Sequence, residues 1–547
     1  MAKPKKSRNS APDPSVAAQL PWRPSAPPLA TFLLISFAAL LLRALVSVGP
    51  YSGQGAAPKF GDYEAQRHWM ELTLHLPSSD WYRNTSDNDL AYWGLDYPPL
   101  SAYQSRLHAH LINASLPDAV ALRSSRGFES QESYAHLWTI IYYMAWCAES
   151  CVCFKSLWFV SCRKLLMRWT VLSSDLMVFF PAALWFVWAY MKDGVGGSGE
   201  RREGWTWLLA MVLLNPCLVL IDHGHFQYNC ISLGLTLGAI AGILSRNELV
   251  AAALFSLAIN HKQMSMYFAP AFFGHLIGKC LKRKYPIVEI MKLGFVVLGT
   301  FALVWWPYLH SYEAAMQVIS RLAPFERGIY EDYVANFWCT TSVLIKWKRL
   351  YAIKSLKLMS LSATILAFLP SFIQQVKSPS NLGFLYSLLN SSFSFYLFSY
   401  QVHEKSILLP LLPASLLALH EPHLHGWFTY YALFSMYPLI CRDQLLLQYI
   451  AVLGLFVLIY YSPGGNYGKG MKISSGTMAV LSLPLLCSIL LHTMYLQIEP
   501  PKRYPFLFDA LIMFICFSQF IILTLYTNYK QWMLDFHPRH VGSKKDL

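Results

Sequence analysis

Long apolar runs, each of about twenty residues, recur along most of the chain and are separated by shorter polar segments. Runs of this length cross a bilayer as helices, and they are continuous rather than alternating as membrane β-strands are. The pattern predicts an all-α polytopic membrane protein with about 14 transmembrane helices, and with short helices in its longer loops. The predicted spans lie near residues 30–49, 169–190, 205–221, 225–244, 249–260, 264–279, 288–308, 358–376, 382–400, 406–420, 425–440, 444–462, 474–493 and 506–527.

Polar termini flank this apolar body, which we treat as one domain over residues 29–530. Residues 1–28 are rich in Pro, Ser and Lys, which predicts a disordered segment on the cytosolic side. The first apolar run is full-length, so we interpret it as an uncleaved span. An even number of spans also places the tail, residues 531–547, in the cytosol. The tail carries a dilysine, Lys544 and Lys545, close to its end, which is typical of an ER retrieval signal.

Two long polar loops, 50–135 and 309–356, are predicted on the opposite, non-cytosolic side. The first loop holds ten acidic residues against six Lys and Arg, and such an acidic excess is typical of a non-cytosolic loop. It also contains two sequons, which make Asn84 and Asn113 candidate glycosylation sites. Asp87-Asn88-Asp89 has the spacing of a metal-nucleotide motif, but it adjoins a sequon in a Ser/Asn-rich turn, and we interpret it as a solvated loop.

The composition agrees with a membrane body, since only 14% of residues are charged, against about 25% in soluble domains. The net charge of +14 fits the positive-inside bias of membrane proteins, or a part of it meets an anionic substrate. Nothing in the pattern indicates a nucleic-acid partner. The 11 cysteines form no CxxC pair, so neither a disulfide framework nor a zinc site is predicted.

The span count brings several polar clusters to the side of the first loop. These clusters are Asp222-His223-Gly-His225-Phe-Gln-Tyr-Asn229, Asn260-His261-Lys262-Gln263 and Gln401-Val-His403-Glu404-Lys405. Ionisable residues near a membrane are costly, so their convergence on one face predicts a functional site. The count also leaves basic residues of 346–357 on this side, against the positive-inside rule. They then face lipid headgroups or a phosphate, or segment 334–345 spans and the count is off by one.

These clusters, together with Phe60-Gly-Asp62-Tyr-Glu64-Ala-Gln-Arg67-His68-Trp69 and Leu95-Asp96-Tyr-Pro-Pro99, carry a family resemblance. In this order they resemble the dolichyl-phosphate-glucose-dependent α-1,3-glucosyltransferases of the ER, over roughly residues 55–530. The resemblance implies a GT-C membrane fold, a lumenal active site and multi-pass insertion in the ER membrane. It also implies dolichol-linked donor and acceptor lipids as partners, with dolichyl phosphate glucose as donor and no metal or other cofactor. Protein partners are not indicated.

The family has two branches, which add the first and the second glucose to the lipid-linked oligosaccharide of N-glycosylation. Residues 92–103 look more like the first branch, which acts on Man9GlcNAc2-PP-dolichol, and the second branch remains the alternative. One segment departs from the family pattern. The apolar run within residues 132–163 is interpreted as an insertion that lies on or dips into the membrane. An inactive splice variant therefore stays open, as do a mannosyltransferase of similar fold and, from another class, a secondary transporter.

The implied reaction inverts a β-linked glucosyl phosphate to an α-linked product, so a single displacement suffices. Such a displacement needs one general base, while phosphate departs without a strong acid. The resemblance gives the role of base to Asp62, which follows the first span closely. The structural alternative is that Asp62 caps the helix that follows, because Asp is a favoured N-cap.

The other candidates are weighed in the same way against structural roles. Asp96, ahead of a rigid Tyr-Pro-Pro segment, either binds substrate or anchors the loop. Glu64 and Arg67 are candidates for direct substrate contact, and Arg67 either pairs with a carboxylate or touches phosphate. A His and a Lys at a span end can neutralise a phosphate, or they form an interfacial ion pair. The candidates for substrate or phosphate contact are thus Glu64, Arg67, Asp96, Asp222, His223, His261, Lys262, His403, Glu404 and Lys405.

Overall fold

The computed structural model describes residues 28–127, 166–193, 201–322, 333–462 and 475–536, and every regular element in these ranges is a helix. The helices are α1 Pro28–Ser47, α2 Gly61–His75, α3 Pro99–Ser115, α4 Leu166–Lys192, α5 Arg201–Leu213, α6 Pro216–Val219, α7 Asn229–Leu244, α8 Glu248–His261, α9 Ala269–Leu281, α10 Pro286–Trp305, α11 Tyr312–Leu322, α12 Phe337–Thr341, α13 Trp347–Leu350, α14 Ile353–Lys377, α15 Asn381–Phe398, α16 Leu408–Leu416, α17 Pro422–Ser435, α18 Tyr437–Arg442, α19 Leu446–Tyr460, α20 Ser475–Gln497 and α21 Leu507–Phe536.

Six of the described helical segments are long and apolar enough to cross a membrane, which supports the predicted all-α membrane class. They are Leu29–Ser47, Leu166–Lys192, Gly204–Phe226, Pro286–Tyr308, Ile353–Lys377 and Leu507–Asp535. Four shorter apolar helices accompany them: Asn229–Leu244, Glu248–His261, Leu446–Tyr460 and Ser482–Gln497. The hydropathy pattern counted short buried helices and long lipid-facing ones alike, since both are apolar along their length.

Several predicted spans have different bounds in the structure. The span expected from residue 225 begins at Asn229, because Leu220–Phe226 is a π-helical segment that continues from α6. The span expected over 406–420 contains a helix of only nine residues, Leu408–Leu416. Both differences arise where polar residues interrupt apolar runs, and both lie beside the site described below.

The membrane-facing surface and the core are easily told apart. On α10, Phe295 and Leu303 are 84% and 76% exposed, as expected of side chains that meet lipid. In α7, by contrast, almost every residue is buried among neighbouring helices, including polar Ser232 and Thr236. Helix α7 packs mainly against α4 and α8, and it therefore lies at the centre of the bundle.

The two long loops carry short helices, as the sequence predicts. Helices α2 and α3 form the first loop and pack on each other, while α11, α12 and α13 belong to the second. Both sequon asparagines, Asn84 and Asn113, are exposed. The N-terminal segment before residue 28, the predicted insertion at 132–163 and the dilysine Lys544–Lys545 lie outside the described residues, as do parts of both loops.

Candidate active site

A cavity of about 780 Å³ opens between the first loop and the ends of the bundle helices. Its size is typical of a ligand site. Its lining comes mainly from the first loop and from residues 227–233, 262–267 and 399–409, with Arg321, Leu322 and Phe395 in addition, so the predicted convergence of polar clusters is confirmed. Five of the candidate residues line it: Asp62, Asp96, Lys262, His403 and Lys405.

Asp62 reaches the cavity from the first turn of α2. The backbone turns sharply before the helix, with Phe60 at φ 56° and Gly61 at φ 67°. A Cβ on Gly61 would lie 2.5 Å from the Ser52 carbonyl oxygen, so glycine is needed at this close approach. The Tyr63 ring stacks on Tyr51 and packs at a tilt against Phe226, with centroids 4.2 and 4.5 Å apart, which holds the helix against the π-helical segment.

The two oxygens of the Asp62 carboxylate have different environments. Oδ2 accepts hydrogen bonds from Gln227 Nε2 at 2.6 Å, Lys405 Nζ at 2.7 Å and His225 Nε2 at 3.1 Å. Within the part of the chain that the structure describes, no donor contacts Oδ1, and the side chain is 25% exposed. The N-cap alternative is wrong, because the cap position belongs to Phe60 and the Asp62 carboxylate points to these three donors instead.

Electrostatics keep this carboxylate ionised. Burial opposes ionisation, but the Lys405 ammonium and the His225 hydrogen bond together hold the pKa of Asp62 well below its ordinary value. Reciprocally, although burial disfavours its charge, the Asp62 carboxylate raises the pKa of Lys405. The result is a stable ion pair in the cavity wall, with one carboxylate oxygen left to accept a proton or a hydrogen bond.

A second cation, Lys262, lines the same cavity. Its Nζ donates to Asn229 Oδ1 at 2.6 Å and lies 5.0 Å from the centroid of the Tyr97 ring. Burial lowers the pKa of Lys262, so an arriving anion would reinforce its charge. Asp222 supports this arrangement from outside the cavity, since its carboxylate accepts from Asn229 Nδ2 at 2.7 Å and from the Cys230 backbone N–H at 2.6 Å.

Glu64 and Arg67, two substrate-contact candidates, do not line the cavity. The Arg67 guanidinium is buried and pairs with both Glu64 and Glu71 at 2.7 Å, and it also contacts Ser125. Burial opposes ionisation of Glu71, but its bond with His68 and the Arg67 charge lower its pKa to about 2. This cluster fixes α2 to the end of the first loop, and the structural interpretation of both candidates is therefore supported.

We expect Arg67→Leu to destabilise the protein by about 3–5 kcal/mol, because it leaves two carboxylates buried without their counter-charge. Thermal unfolding of the purified protein in detergent measures the effect. Arg106→Leu, at an exposed position on α3, is the matched control and should unfold as wild type does. An Arg67→Leu protein of normal stability that binds its lipid substrate weakly would instead indicate substrate contact.

Three further candidates also lie away from the cavity. His223 Nε2 contacts Asp175 Oδ2 at 3.0 Å, and Asp175 pairs with Arg43, which ties α1, α4 and the π-helical segment together. His261 is buried, and its carbonyl oxygen accepts from the Ser101 hydroxyl. Glu404 is buried and lies 3.4 Å from Arg442. Their position predicts structural rather than substrate-contacting roles.

Sequence reasoning missed Gln227 and Asp443 as residues of the site. It also missed that His225 contacts Asp62 directly. His225 and Gln227 belong to the Asp222–Asn229 motif; His225 lies in the π-helical segment, and Gln227 directly follows it in an extended conformation. Asp443 stands alone at the end of α18, and a single acid among apolar segments is a signal of function that could have identified it. Among the described residues, no group of three or more His, Cys, Asp or Glu side chains could hold a metal ion.

Comparison with known proteins gives a consistent result. The model of the "ALG6, ALG8 glycosyltransferase family" matches residues 39–161 and 135–526. A protein of Arabidopsis thaliana named "Probable dolichyl pyrophosphate Man9GlcNAc2 alpha-1,3-glucosyltransferase" is 57% identical over 516 residues, covering 93% of this chain and 90% of its own.

Relatives in animals and yeast are more distant but equally extensive. Proteins of Rattus norvegicus and Saccharomyces cerevisiae, both named "Dolichyl pyrophosphate Man9GlcNAc2 alpha-1,3-glucosyltransferase", are 38% and 36% identical. The rat protein aligns over 89% of this chain and 94% of its own, and the yeast protein over 92% and 93%.

Proposed function

The chain belongs to the ALG6, ALG8 glycosyltransferase family, and we propose that it adds glucose in α-1,3 linkage to Man9GlcNAc2 on dolichyl pyrophosphate. This acceptor and this linkage are in the names of the relatives that align over most of the chain. The activity belongs to assembly of the N-glycan precursor. The secondary transporter and mannosyltransferase alternatives are set aside, because the family and the named relatives are glucosyltransferases.

The donor in this proposal is dolichyl phosphate glucose, and Asp62 is the general base. The acceptor hydroxyl donates to Oδ1 of Asp62, and its oxygen attacks the anomeric carbon while the bond from that carbon to the phosphate oxygen breaks. The electron pair leaves with the phosphate, and the acceptor proton passes to the carboxylate. The single observation that carries this assignment is that three donors hold Oδ2 of a cavity-lining carboxylate, while no donor among the described residues contacts Oδ1.

The leaving phosphate gains negative charge, which cationic side chains stabilise when they are in place beforehand. Lys405, Lys262 and His403 line the cavity, and Lys262 Nζ lies 3.4 Å from Gln227 Oε1. With these groups to neutralise the charge, we propose that the reaction uses no metal. Asp96 lines the same cavity and is proposed to bind the hydroxyls of a sugar.

The number of spans and the orientation of the chain in the membrane are also part of the proposal. A GT-C bundle of about 14 spans in the ER membrane would place the cavity in the lumen and both termini in the cytosol. The lipid substrates would then enter from the lumenal leaflet, where a donor and an acceptor carried on dolichol both present their sugars. Six long spans and four shorter apolar helices among the described residues support this arrangement.

Transfer in microsomes that lack the native enzyme tests the function. Supplied with dolichyl phosphate glucose and the nine-mannose acceptor, the chain should form a one-glucose product. Product formed only from an acceptor that already carries one glucose would assign the chain to the second branch. No transfer to either acceptor, from a folded protein, would favour the inactive splice variant.

A further inference from the structure

His225 connects two carboxylates that are far apart in sequence. Its Nε2 lies 3.1 Å from Asp62 Oδ2, and its Nδ1 lies 2.5 Å from Asp443 Oδ2. Both His225 and Asp443 are buried, with side chains only 3% and 4% exposed. Asp443 does not line the cavity, and its contact with the site is through the imidazole.

The chemistry of the acceptors fixes the protons on this ring. An ionised carboxylate accepts hydrogen bonds but donates none, so the short contact with Asp443 requires a proton on Nδ1. In the neutral ring Nε2 accepts from Lys405 Nζ, which lies 3.2 Å away, and it donates to Asp62 only when the ring is an imidazolium. In that state the two carboxylates are balanced by Lys405 and His225, and the buried group is neutral as a whole.

Other charged groups around the imidazole are already engaged. Those on the elements packed against it are Asp62, Lys405, Asp443, the Glu404–Arg442 pair, and Arg168, which donates to the carbonyl oxygens of His223 and Gly224. Of these, only Asp443 contacts Nδ1, while Asp62 and Lys405 contact Nε2, so Asp443 alone holds the Nδ1 side of the ring.

We propose that Asp443 is a positioning residue for glucosyl transfer, which acts by holding His225 as an imidazolium against Oδ2 of Asp62. The proposal rests on the function proposed above. Asp443 orients the ring, the ring occupies Oδ2, and Oδ1 of Asp62 is thereby kept facing the acceptor hydroxyl. A residue that works this way affects the rate of the chemical step and leaves substrate binding nearly unchanged.

The test is Asp443→Asn in the purified full-length protein. An amide keeps the shape but lacks the charge that favours the imidazolium. We expect kcat to fall on the order of 10- to 100-fold, as for outer partners of functional histidines. KM for both lipids should stay near wild type, and the alkaline limb of the kcat–pH profile should move to lower pH. Asp443→Glu should recover part of kcat.

Glu421→Gln is the matched control, since it also neutralises a carboxylate, one that accepts from Tyr386 and Tyr526 away from the cavity. Its pH profile should equal that of wild type. If Asp443→Asn does not fold, the kcat–pH profile of His225→Gln tests the proposal. The Gln side chain cannot titrate, so the alkaline limb should be absent from that profile. An unmoved limb in Asp443→Asn, or one that persists in His225→Gln, would overturn the proposal.

Thermal unfolding is a second readout, which tests the His225–Asp443 pair (the dyad) independently of the proposed reaction. Asp443→Asn should lower the apparent unfolding temperature more at pH 6, where the proposal requires a charged wild-type imidazole, than at pH 9. Equal lowering at both pH values would contradict the dyad. Absence of transfer by folded wild type would reject the reaction, and the unfolding comparison would still decide on Asp443.

Discussion

Asp62→Asn should reduce kcat on the order of 10³-fold, within the range for loss of a general base. This corresponds to about 4 kcal/mol of transition-state stabilisation. The substitution keeps the size of the side chain, so α2 and its packing on Tyr51 should be retained. The rate of product formation in a detergent-solubilised assay with saturating lipids gives the effect directly.

The geometry explains why an amide fails at this position. Three donors, from Gln227, Lys405 and His225, converge on the site of Oδ2, and they select the carbonyl oxygen of an Asn side chain. The NH₂ group must then occupy the position of Oδ1 and face the cavity. It would offer a donor where the acceptor hydroxyl needs an acceptor, so both the proton transfer and the orientation of the nucleophile are lost.

Asp118→Asn is the control for this variant, because Asp118 is an exposed carboxylate in the same loop. It should show wild-type kcat and wild-type unfolding. Asp62→Asn that turns over normally while folding normally would remove Asp62 from the role of base.

Lys405→Met should lower kcat/KM on the order of 10²- to 10³-fold. Two effects combine in this variant. The cavity loses a cation that would face the departing phosphate, and Asp62 loses the ammonium that lies 2.7 Å from Oδ2. Lys405→Arg keeps the charge and should retain a larger share of the activity than Lys405→Met.

The pH dependence separates these two effects. In wild type the pKa of Asp62 lies well below its ordinary value, so its base form is complete at neutral pH. Without the Lys405 charge that pKa rises, and the base form is lost as the pH falls through the new value. The acid limb of the kcat profile should therefore move to higher pH in Lys405→Met. An acid limb that stays in place would show that Lys405 does not control Asp62.

The sequence predicted those features of the site that depend only on residue type and on the side of the membrane. Asp62, Lys262 and Lys405 belong to separate motifs, yet the span count placed them on one face, and the structure brings all three to one cavity. The family resemblance was confirmed as well. These predictions needed no knowledge of side-chain direction.

Predictions that depended on the direction in which a side chain points were less successful. Glu64 and Arg67 follow Asp62 closely, but on a helix of 3.6 residues per turn they point elsewhere, and they form a buried ion cluster with Glu71. His225 reaches Asp62 because residues 220–226 form a π-helical turn, which hydropathy does not reveal. The partner of His225 comes from residue 443, and no local pattern connects two positions 218 residues apart.

One measurement tests the central claim most directly, namely single-turnover transfer by the purified chain with Asp62 intact or changed to Asn. Wild type should form one-glucose product with an α-anomeric linkage, with no glucose attached to the protein at any time point. Asp62→Asn should bind the glucosyl donor with nearly wild-type affinity and form product on the order of 10³-fold more slowly. Glucose found covalently on Asp62 of wild type, or normal single-turnover rates in Asp62→Asn, would contradict a one-step displacement with Asp62 as its base.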